Sequence, residues 1–161
     1  MYDKKGFSDA MALKQVLFEH ANQRVAVLGP SCVGKSTILR HIPEALDMDI
    51  ILFPQLSSKE KQLVFQKPWQ PFVGKEMKRL ACSRIIVFPG RPVFATVVIE
   101  VDFIIHLRIE DSLLQKRIAL RRERQQFFED VKGIQRQLET DILLSKIASV
   151  DFFLMEKNHD R

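Results

Sequence analysis

The sequence predicts a single α/β domain in which helices cover both faces of a five-stranded, mainly parallel sheet. Two features of the 161-residue chain support this fold class: short apolar runs alternate with helical segments, and no repeat, low-complexity stretch or long linker divides the chain. Strands joined by helical crossovers run parallel, and such crossovers are right-handed. A hydrophobic fraction of 46% suits one conventional core. We therefore treat residues 1–161 as one domain.

The five strands and the helices between them follow from the period of the apolar residues. The predicted strands are 24–28, 49–53, 85–88, 103–107 and 151–155, and the run 97–101 fits a helix or a strand equally. The predicted helices are 9–22, 35–41, 71–82, 111–126 and 131–149. Ser8 can cap the first helix, and Pro71 suits the first turn of the third. Helices and strands thus alternate along the chain, as the fold class requires.

Charge and cysteine content narrow the classes of function. The chain has 25 Lys and Arg residues against 20 Asp and Glu residues, which gives a net charge of +5. This charge favours anionic partners such as nucleotides, but a contribution to solubility explains it equally well. Two cysteines, Cys32 and Cys82, indicate no disulfide framework. No apolar run reaches the length of a membrane span, and residues 1–5 lead into no signal segment. We expect a cytoplasmic protein without a membrane partner.

The segment from Gly29 to Ser36 satisfies the phosphate-binding pattern Gly-x-x-x-x-Gly-Lys-Ser/Thr. It reads Gly29, Pro30, Ser31, Cys32, Val33, Gly34, Lys35 and Ser36, and it lies between a predicted strand and a predicted helix. Glycines let main-chain N–H groups approach phosphate oxygens, and the following helix adds its positive end. Lys35 is expected to reach the β- and γ-phosphates, and Ser36 to coordinate Mg²⁺. Thr37 extends the binding segment, although Thr37 and Cys32 suit packing better than chemistry.

Beyond this loop, residues 24–158 resemble the nucleotide and small-metabolite kinases among the P-loop proteins, the group that includes adenylate, thymidylate and shikimate kinases. The resemblance implies the three-layer P-loop fold with strand order 2-3-1-4-5. It also implies ATP and Mg²⁺ as cofactors. An acceptor-binding section after the second strand falls at about 54–82, and a lid falls at about 117–136.

The segment 113–121, Leu-Leu-Gln-Lys-Arg-Ile-Ala-Leu-Arg, is similar to the arginine-bearing stretch that leads into the lid of these kinases. By resemblance, Arg117 lies beside the nucleotide base and Arg121 lies near the phosphates. The spacing of Arg117, Arg121 and Arg124 also puts them on one helix face, where they could converge on an anion. A solvated helix face or a nucleic-acid contact surface is the alternative interpretation of this basic stretch.

Two further segments compare less closely with the family. Residues 87–91 are similar to the Gly-Phe-Pro-Arg turn of adenylate kinases, in which the arginine holds the acceptor phosphate, but a simple turn before Arg91 explains them nearly as well. Shikimate-type kinases carry Asp-x-Asp directly after the second strand. Asp47 and Asp49 form such a pair but precede the predicted strand 49–53, so we interpret them as cap or turn residues. Without a base, a phosphate acceptor is favoured over a hydroxyl acceptor.

The sequence therefore predicts an ATP- and Mg²⁺-dependent phosphotransferase acting on a small, phosphate-bearing acceptor such as a nucleoside monophosphate. Lys35, Arg117 and Arg121 are the predicted catalytic residues. The partners are then the nucleotide and a small-molecule acceptor, with nucleic acid less favoured. Two alternatives stay open: a P-loop ATPase associated with nucleic acid, and a nucleotide-binding regulatory protein that has lost turnover.

Overall fold

The computed structural model describes residues 6–30, 33–65, 70–120 and 125–155, and these ranges contain one sheet with helices around it. The strands are β1 (Val25–Leu28), β2 (Leu46–Asp47), β3 (Val93–Ala95), β4 (Phe103–Arg108) and β5 (Ala148–Phe153). The helices are α1 (Phe7–Glu19), α2 (Lys35–Leu39), α3 (Met48–Leu52), α4 (Ser58–Val64), α5 (Pro71–Arg84), α6 (Asp111–Leu120) and α7 (Gln125–Ser145). A 3₁₀ turn, Phe53–Gln55, follows α3.

The five strands are all parallel, in the order β2-β3-β1-β4-β5. The predicted α/β class with a mainly parallel sheet is therefore confirmed. β1 is the central strand, and its Ala26 lies level with Val93 of β3 and Ile104 of β4. The chain leaves β1 toward β2 on one side and later returns to β4 on the other. The carboxyl end of β1 is thus the point where an open α/β sheet forms its ligand crevice.

Alternate residues of β1 pack into two different hydrophobic cores. Val25 and Val27 lie in the first core, together with apolar residues of α1, α2 and α6. Ala26 and Leu28 lie in the second core, with residues of α3, α4 and α5. Because neighbouring strand residues point to opposite faces, helices must cover both faces of the sheet. The predicted three-layer arrangement of helices and sheet is present.

Helix α7 contributes to both cores. Phe128 and Val131, near its start, pack in the first core. Leu138 and Ile142, further along, pack in the second. The 21-residue helix therefore spans on the order of 30 Å and passes from one face of the sheet to the other. Within the ranges that the structure describes, no helix is long and apolar enough to cross a membrane.

Three of the predicted strands are displaced. The second, 49–53, is wrong because α3 occupies Met48–Leu52, and β2 ends just before it. The third, 85–88, is wrong because this stretch stays outside the sheet and β3 follows a turn at Val93. The fifth begins at Ala148 rather than at residue 151. The ambiguous run 97–101 is neither helix nor strand.

Each predicted helix is present, but its first or last residue differs from the prediction. The first runs over Phe7–Glu19, α2 ends at Leu39, and α5 extends to Arg84. The basic helix predicted over 111–126 is α6, which the structure follows to Leu120. The helix predicted over 131–149 is α7, which begins six residues earlier, at Gln125, and ends at Ser145.

Candidate active site

The loop between β1 and α2 is held close to the sheet. The N–H of Gly29 donates to the carbonyl of Ala95, at the end of β3, at 3.2 Å. A Cβ added to Gly29 would lie 3.1 Å from Val33 Cγ2 and 3.3 Å from Leu107 Cβ, so only glycine fits without a shift. Val33 is fully buried. The described part of the loop is therefore anchored at both ends, while Ser31 and Cys32 lie outside the described residues.

Lys35 folds back over the loop that precedes it. Its ammonium group donates to the carbonyl of Gly29 and, at 2.7 Å, to that of Pro30. A positive charge thus lies over the segment where the motif places the phosphates. Ser36 follows on the first turn of α2 and is exposed. Thr37 packs instead, because a Cβ added to Gly6, just before α1, would come within 2.8 Å of its methyl group.

Arg117 reaches the same loop from α6. Its Nη1 donates to the carbonyl of Val33 at 2.6 Å. The same nitrogen lies 2.9 Å from where a Cβ on Gly34 would stand. The structure therefore brings Arg117 and Lys35 together at the loop, 82 residues apart in sequence. The assignment of Arg117 to the nucleotide base stays a prediction, and Arg121 lies outside the described residues.

The two aspartates at the end of β2 are placed differently from the expectation. Asp47 is the last residue of β2 and caps α3, since its carboxylate accepts the N–H of Asp49 at 2.9 Å. The cap interpretation of Asp47 is confirmed, but the pair does not precede the second strand: Asp47 ends β2, and Asp49 follows it. Asp-x-Asp thus stands at the carboxyl edge of the sheet, where residues after parallel strands meet.

Asp49 interacts electrostatically with Lys35. Burial raises the pKa of the Asp49 carboxyl above its ordinary value, the adjacent Asp47 raises it further, and the positive charge of Lys35 opposes both. The sequence analysis interpreted Asp49 as a cap or turn residue because it placed the second strand at 49–53, whereas β2 is Leu46–Asp47. The Asp-x-Asp spacing was the available signal.

A cavity of about 410 Å³ opens beside Asp49, between α3, α5 and α7. Its apolar lining comes from Phe53, Val64, Val73, Val97, Met77, Ile134 and Leu138, and its polar lining from Asp49, Lys75, Lys78, Thr96, Gln137 and Asp141. This volume is within the range of small-molecule sites. The section predicted to bind an acceptor, 54–82, supplies one wall of the cavity, and α7 supplies the facing one.

Charged groups on the two walls meet across this cavity. Lys78 Nζ on α5 lies 4.0 Å from Asp141 Oδ2 on α7. The other carboxylate oxygen of Asp141 accepts from Gln137 Nε2 at 3.0 Å. These contacts fix the orientation of a carboxylate on the cavity wall.

Arg91 does not belong to this site. Phe88 and Arg91 form an isolated antiparallel bridge around a tight turn with Gly90 at φ 80°. Arg91 Nε donates to the carbonyl of Glu44 at 3.0 Å. Because Val93 is level with Ala26, this turn lies at the amino end of β1, at the opposite edge of the sheet from the loop after β1. The acceptor-phosphate role that the likeness to the adenylate kinase turn implies for Arg91 is therefore wrong, and these residues form a simple turn.

No protein-family model matches the chain, and no curated protein shows significant similarity to it.

Proposed function

We propose that the chain is an ATP- and Mg²⁺-dependent phosphotransferase that holds nucleotide phosphates on residues 29–36 and a small acceptor in the cavity beside Asp49. The observation that carries this proposal is that Lys35 and Arg117 both donate to carbonyl groups of the loop after the central strand. The strand order and the position of the loop between β1 and α2 support the three-layer P-loop fold that the kinase resemblance implies.

In the proposed reaction, an oxygen of the acceptor attacks the γ-phosphorus of ATP. The bond from that phosphorus to the bridging oxygen breaks, and ADP leaves with the electron pair. Lys35 and Arg117 stabilise the negative charge on the transferring group and the leaving oxygen, so catalysis is mainly positioning and electrostatics.

The exposed hydroxyl of Ser36 fits a role as a Mg²⁺ ligand. Magnesium prefers hard oxygen donors and binds through few protein ligands, keeping waters and phosphate oxygens for the rest of its shell. When bound, Mg²⁺ would supply further positive charge to the β- and γ-phosphates. Ser36 stands on the first turn of α2, directly after Lys35, and can hold the ion beside the phosphates.

The position of Asp49 supports a second class of acceptor, one that reacts through a hydroxyl group. A phosphate acceptor needs no base, and the missing base was the reason to favour it. Asp49 lines the cavity and interacts with Lys35. Its carboxylate is thus suitably placed to take the proton of an attacking hydroxyl, and the raised pKa makes it a stronger base than an exposed aspartate.

An acceptor screen with ATP labelled at the γ-phosphate tests the proposal. The acceptors are nucleoside monophosphates, nucleosides, small hydroxylated metabolites and 5′-hydroxyl oligonucleotides. We expect transfer to one class and a loss of about 100-fold or more in Lys35→Ala. Asp49→Asn should abolish transfer to a hydroxyl acceptor but change transfer to a phosphate acceptor only a few-fold. Hydrolysis stimulated by nucleic acid, without transfer to any acceptor, would instead identify an ATPase.

A further inference from the structure

The cavity beside Asp49 carries charged side chains in two different parts of its wall. Asp49 is supplied by α3, and the positive charge that acts on it is that of Lys35. Lys75 and Lys78 line the cavity from α5, and Asp141 lines it from the facing helix α7. One charged part of the wall therefore belongs to the carboxyl edge of the sheet, whereas the other belongs to the space between α5 and α7.

The contact between α5 and α7 is a weak ion pair. Lys78 Nζ lies 4.0 Å from Asp141 Oδ2, beyond hydrogen-bond distance, and the two side chains are 39% and 21% exposed. Water screens a pair with this spacing and exposure, so the contact contributes little to stability. Asp141 also accepts from Gln137 Nε2 at 3.0 Å, which holds the carboxylate in place. The ammonium group of Lys78 can therefore turn to another anion at small cost.

Lys75 adds a second ammonium group to the same part of the wall. It precedes Lys78 by three residues in α5, so the two side chains emerge on one face of the helix. Lys75 forms no ion pair with any residue that the structure describes. Two positive charges at this spacing repel each other, and the α7 side of the lining opposes them with a single carboxylate, that of Asp141. This part of the cavity consequently attracts an anion.

The remaining wall of the cavity is mainly apolar. Phe53, Val73 and Ile134, from three different elements, are among the side chains that line it. A volume of about 410 Å³ suits a small metabolite. A ligand that matches this cavity thus has an apolar body, a hydroxyl group at Asp49 and an anionic group between α5 and α7.

We propose that Lys75 and Lys78 are specificity-determining residues that bind an anionic group of the acceptor, a carboxylate or a phosphate, at a distance from the reacting hydroxyl. The acceptor is then a small hydroxyl compound with a separate anionic group. A nucleoside monophosphate that reacts through its phosphate fits less well, because that phosphate would lie beside Lys35 and leave both α5 lysines without an anion. The assignment of the ligand as acceptor rests on the proposed function, but the anion subsite does not.

Calorimetry with matched probes tests the anion subsite without any assumption about turnover. The probes are hydroxybutyrate, hydroxycyclohexanecarboxylate and hydroxymethylbenzoate, the uncharged amide of each, and the phosphate monoesters of the matching diols. We expect the carboxylates or the phosphate esters to bind at least about 10-fold more tightly than the amides, and the stronger series identifies the anion. Amides that bind as tightly as the anions, or a panel in which no anion binds, would overturn the proposal.

Substitutions on the two walls should change anion binding in opposite directions. Lys75→Gln and Lys78→Gln should each weaken binding of the anionic probes by about 10-fold and leave the amides unaffected. Asp141→Asn should strengthen anion binding a few-fold, because Lys78 then has no competing carboxylate. Lys14→Gln is the matched control, since it removes the same charge from α1, outside this cavity. Unchanged binding in both α5 variants, or an equal loss in Lys14→Gln, refutes the subsite.

Phosphoryl transfer from labelled ATP to the same probes separates this proposal from the proposed function. If the anionic probes bind through the α5 lysines but receive no phosphoryl group, the proposed function fails and the subsite stands. If the amides are phosphorylated as efficiently as the anions, the proposed function stands and the subsite is refuted. When both hold, Lys78→Gln should raise KM for the anionic acceptor and leave kcat and the Kd of ATP nearly unchanged.

Discussion

Gly34 is the residue at which the loop after β1 turns into α2. Its φ of 102° is a conformation that residues with a side chain rarely adopt, and Arg117 Nη1 lies 2.9 Å from where a Cβ would stand. We expect Gly34→Ala to lower the free energy of unfolding by about 1–2 kcal/mol and to displace the guanidinium. Urea denaturation measures the first effect.

Gly133 provides the matched control for this substitution. It lies inside α7, and a Cβ there would meet no atom within 4 Å. Gly133→Ala should therefore stabilise the protein by up to about 1 kcal/mol, through the higher helix propensity of alanine. Equal effects of the two alanines would show that Gly34 is not held in the conformation described.

The raised pKa of the Asp49 carboxyl predicts that its charged form lowers the stability of the fold at neutral pH. Because its folded-state pKa is raised, the folded protein binds the proton more tightly than the unfolded chain, and stability falls as pH rises from the ordinary value of 3.8 through the folded-state pKa. Asp49→Asn removes this penalty. We expect a higher Tm at pH 7 but little difference near pH 3, by calorimetry at both pH values. A lower Tm at pH 7 would contradict the unfavourable burial of the carboxylate.

At the scale of elements, Glu60 holds α4 in place by two kinds of contact. It completes a capping box with Ser57 at the start of α4, and its two carboxylate oxygens accept from Arg84 on α5 at 2.8 and 2.7 Å. The Arg84 guanidinium is the main reason why the pKa of Glu60 falls to about 2, and the Ser57 N–H adds to it. This stabilisation is present above the ordinary pKa of 4.5 and is lost as pH falls toward 2.

Glu60→Gln should therefore lower Tm at pH 7 and flatten its dependence on pH between 4.5 and about 2. Glu76→Gln is the control, because Glu76 also has a lowered pKa but pairs with Arg79 within the same helix. We expect the control to have the smaller effect at pH 7, since contacts within one helix do not fix its packing. Identical pH profiles for the wild type and Glu60→Gln would refute the role of the pair.

The sequence predicts burial better than it predicts strand pairing. Ile85 and Val87 are both buried and alternate with exposed residues, which is the strand pattern, yet the turn at Gly90 reverses the chain before it enters the sheet. β2 and β3 are two and three residues long, too short to give a period. Such strands are specified by their neighbours in the sheet rather than by their own residues.

The residues of the candidate site likewise divide into those that local sequence patterns predict and those whose place depends on the fold. The loop motif at 29–36 and the basic helix face that carries Arg117 follow from local spacing, because the motif and the helix period are properties of nearby residues. The place of Asp49 depends on where β2 ends, which no local pattern settles. The contact of His106 with Asp151 joins β4 to β5, about 45 residues further along the chain, and a lone histidine in a strand carries no sequence signal.

At the scale of the whole molecule, the sheet order gathers the site from distant parts of the chain. With β1 in the centre, the loop after β1, Asp49 after β2 and Thr96 after β3 all stand at the carboxyl edge. Helix α7 then crosses from the first core to the second and closes one side of the cavity. Nucleotide and acceptor would thus bind between parts that are joined only through the folded core.

Ligand binding should consequently stabilise the whole fold. At a concentration of Mg²⁺·ATP about 100 times its Kd, linkage adds about 2.7 kcal/mol. For a chain of this size that corresponds to a rise in Tm of roughly 5–10 °C, measurable by differential scanning fluorimetry. Lys35→Ala should lose most of the rise. Lys14→Ala should keep it, because Lys14 lines a separate cleft beside Val25 and Pro92, at the amino ends of the strands. A rise retained in Lys35→Ala, or one that Mg²⁺ does not affect, would place the nucleotide somewhere other than the loop after β1.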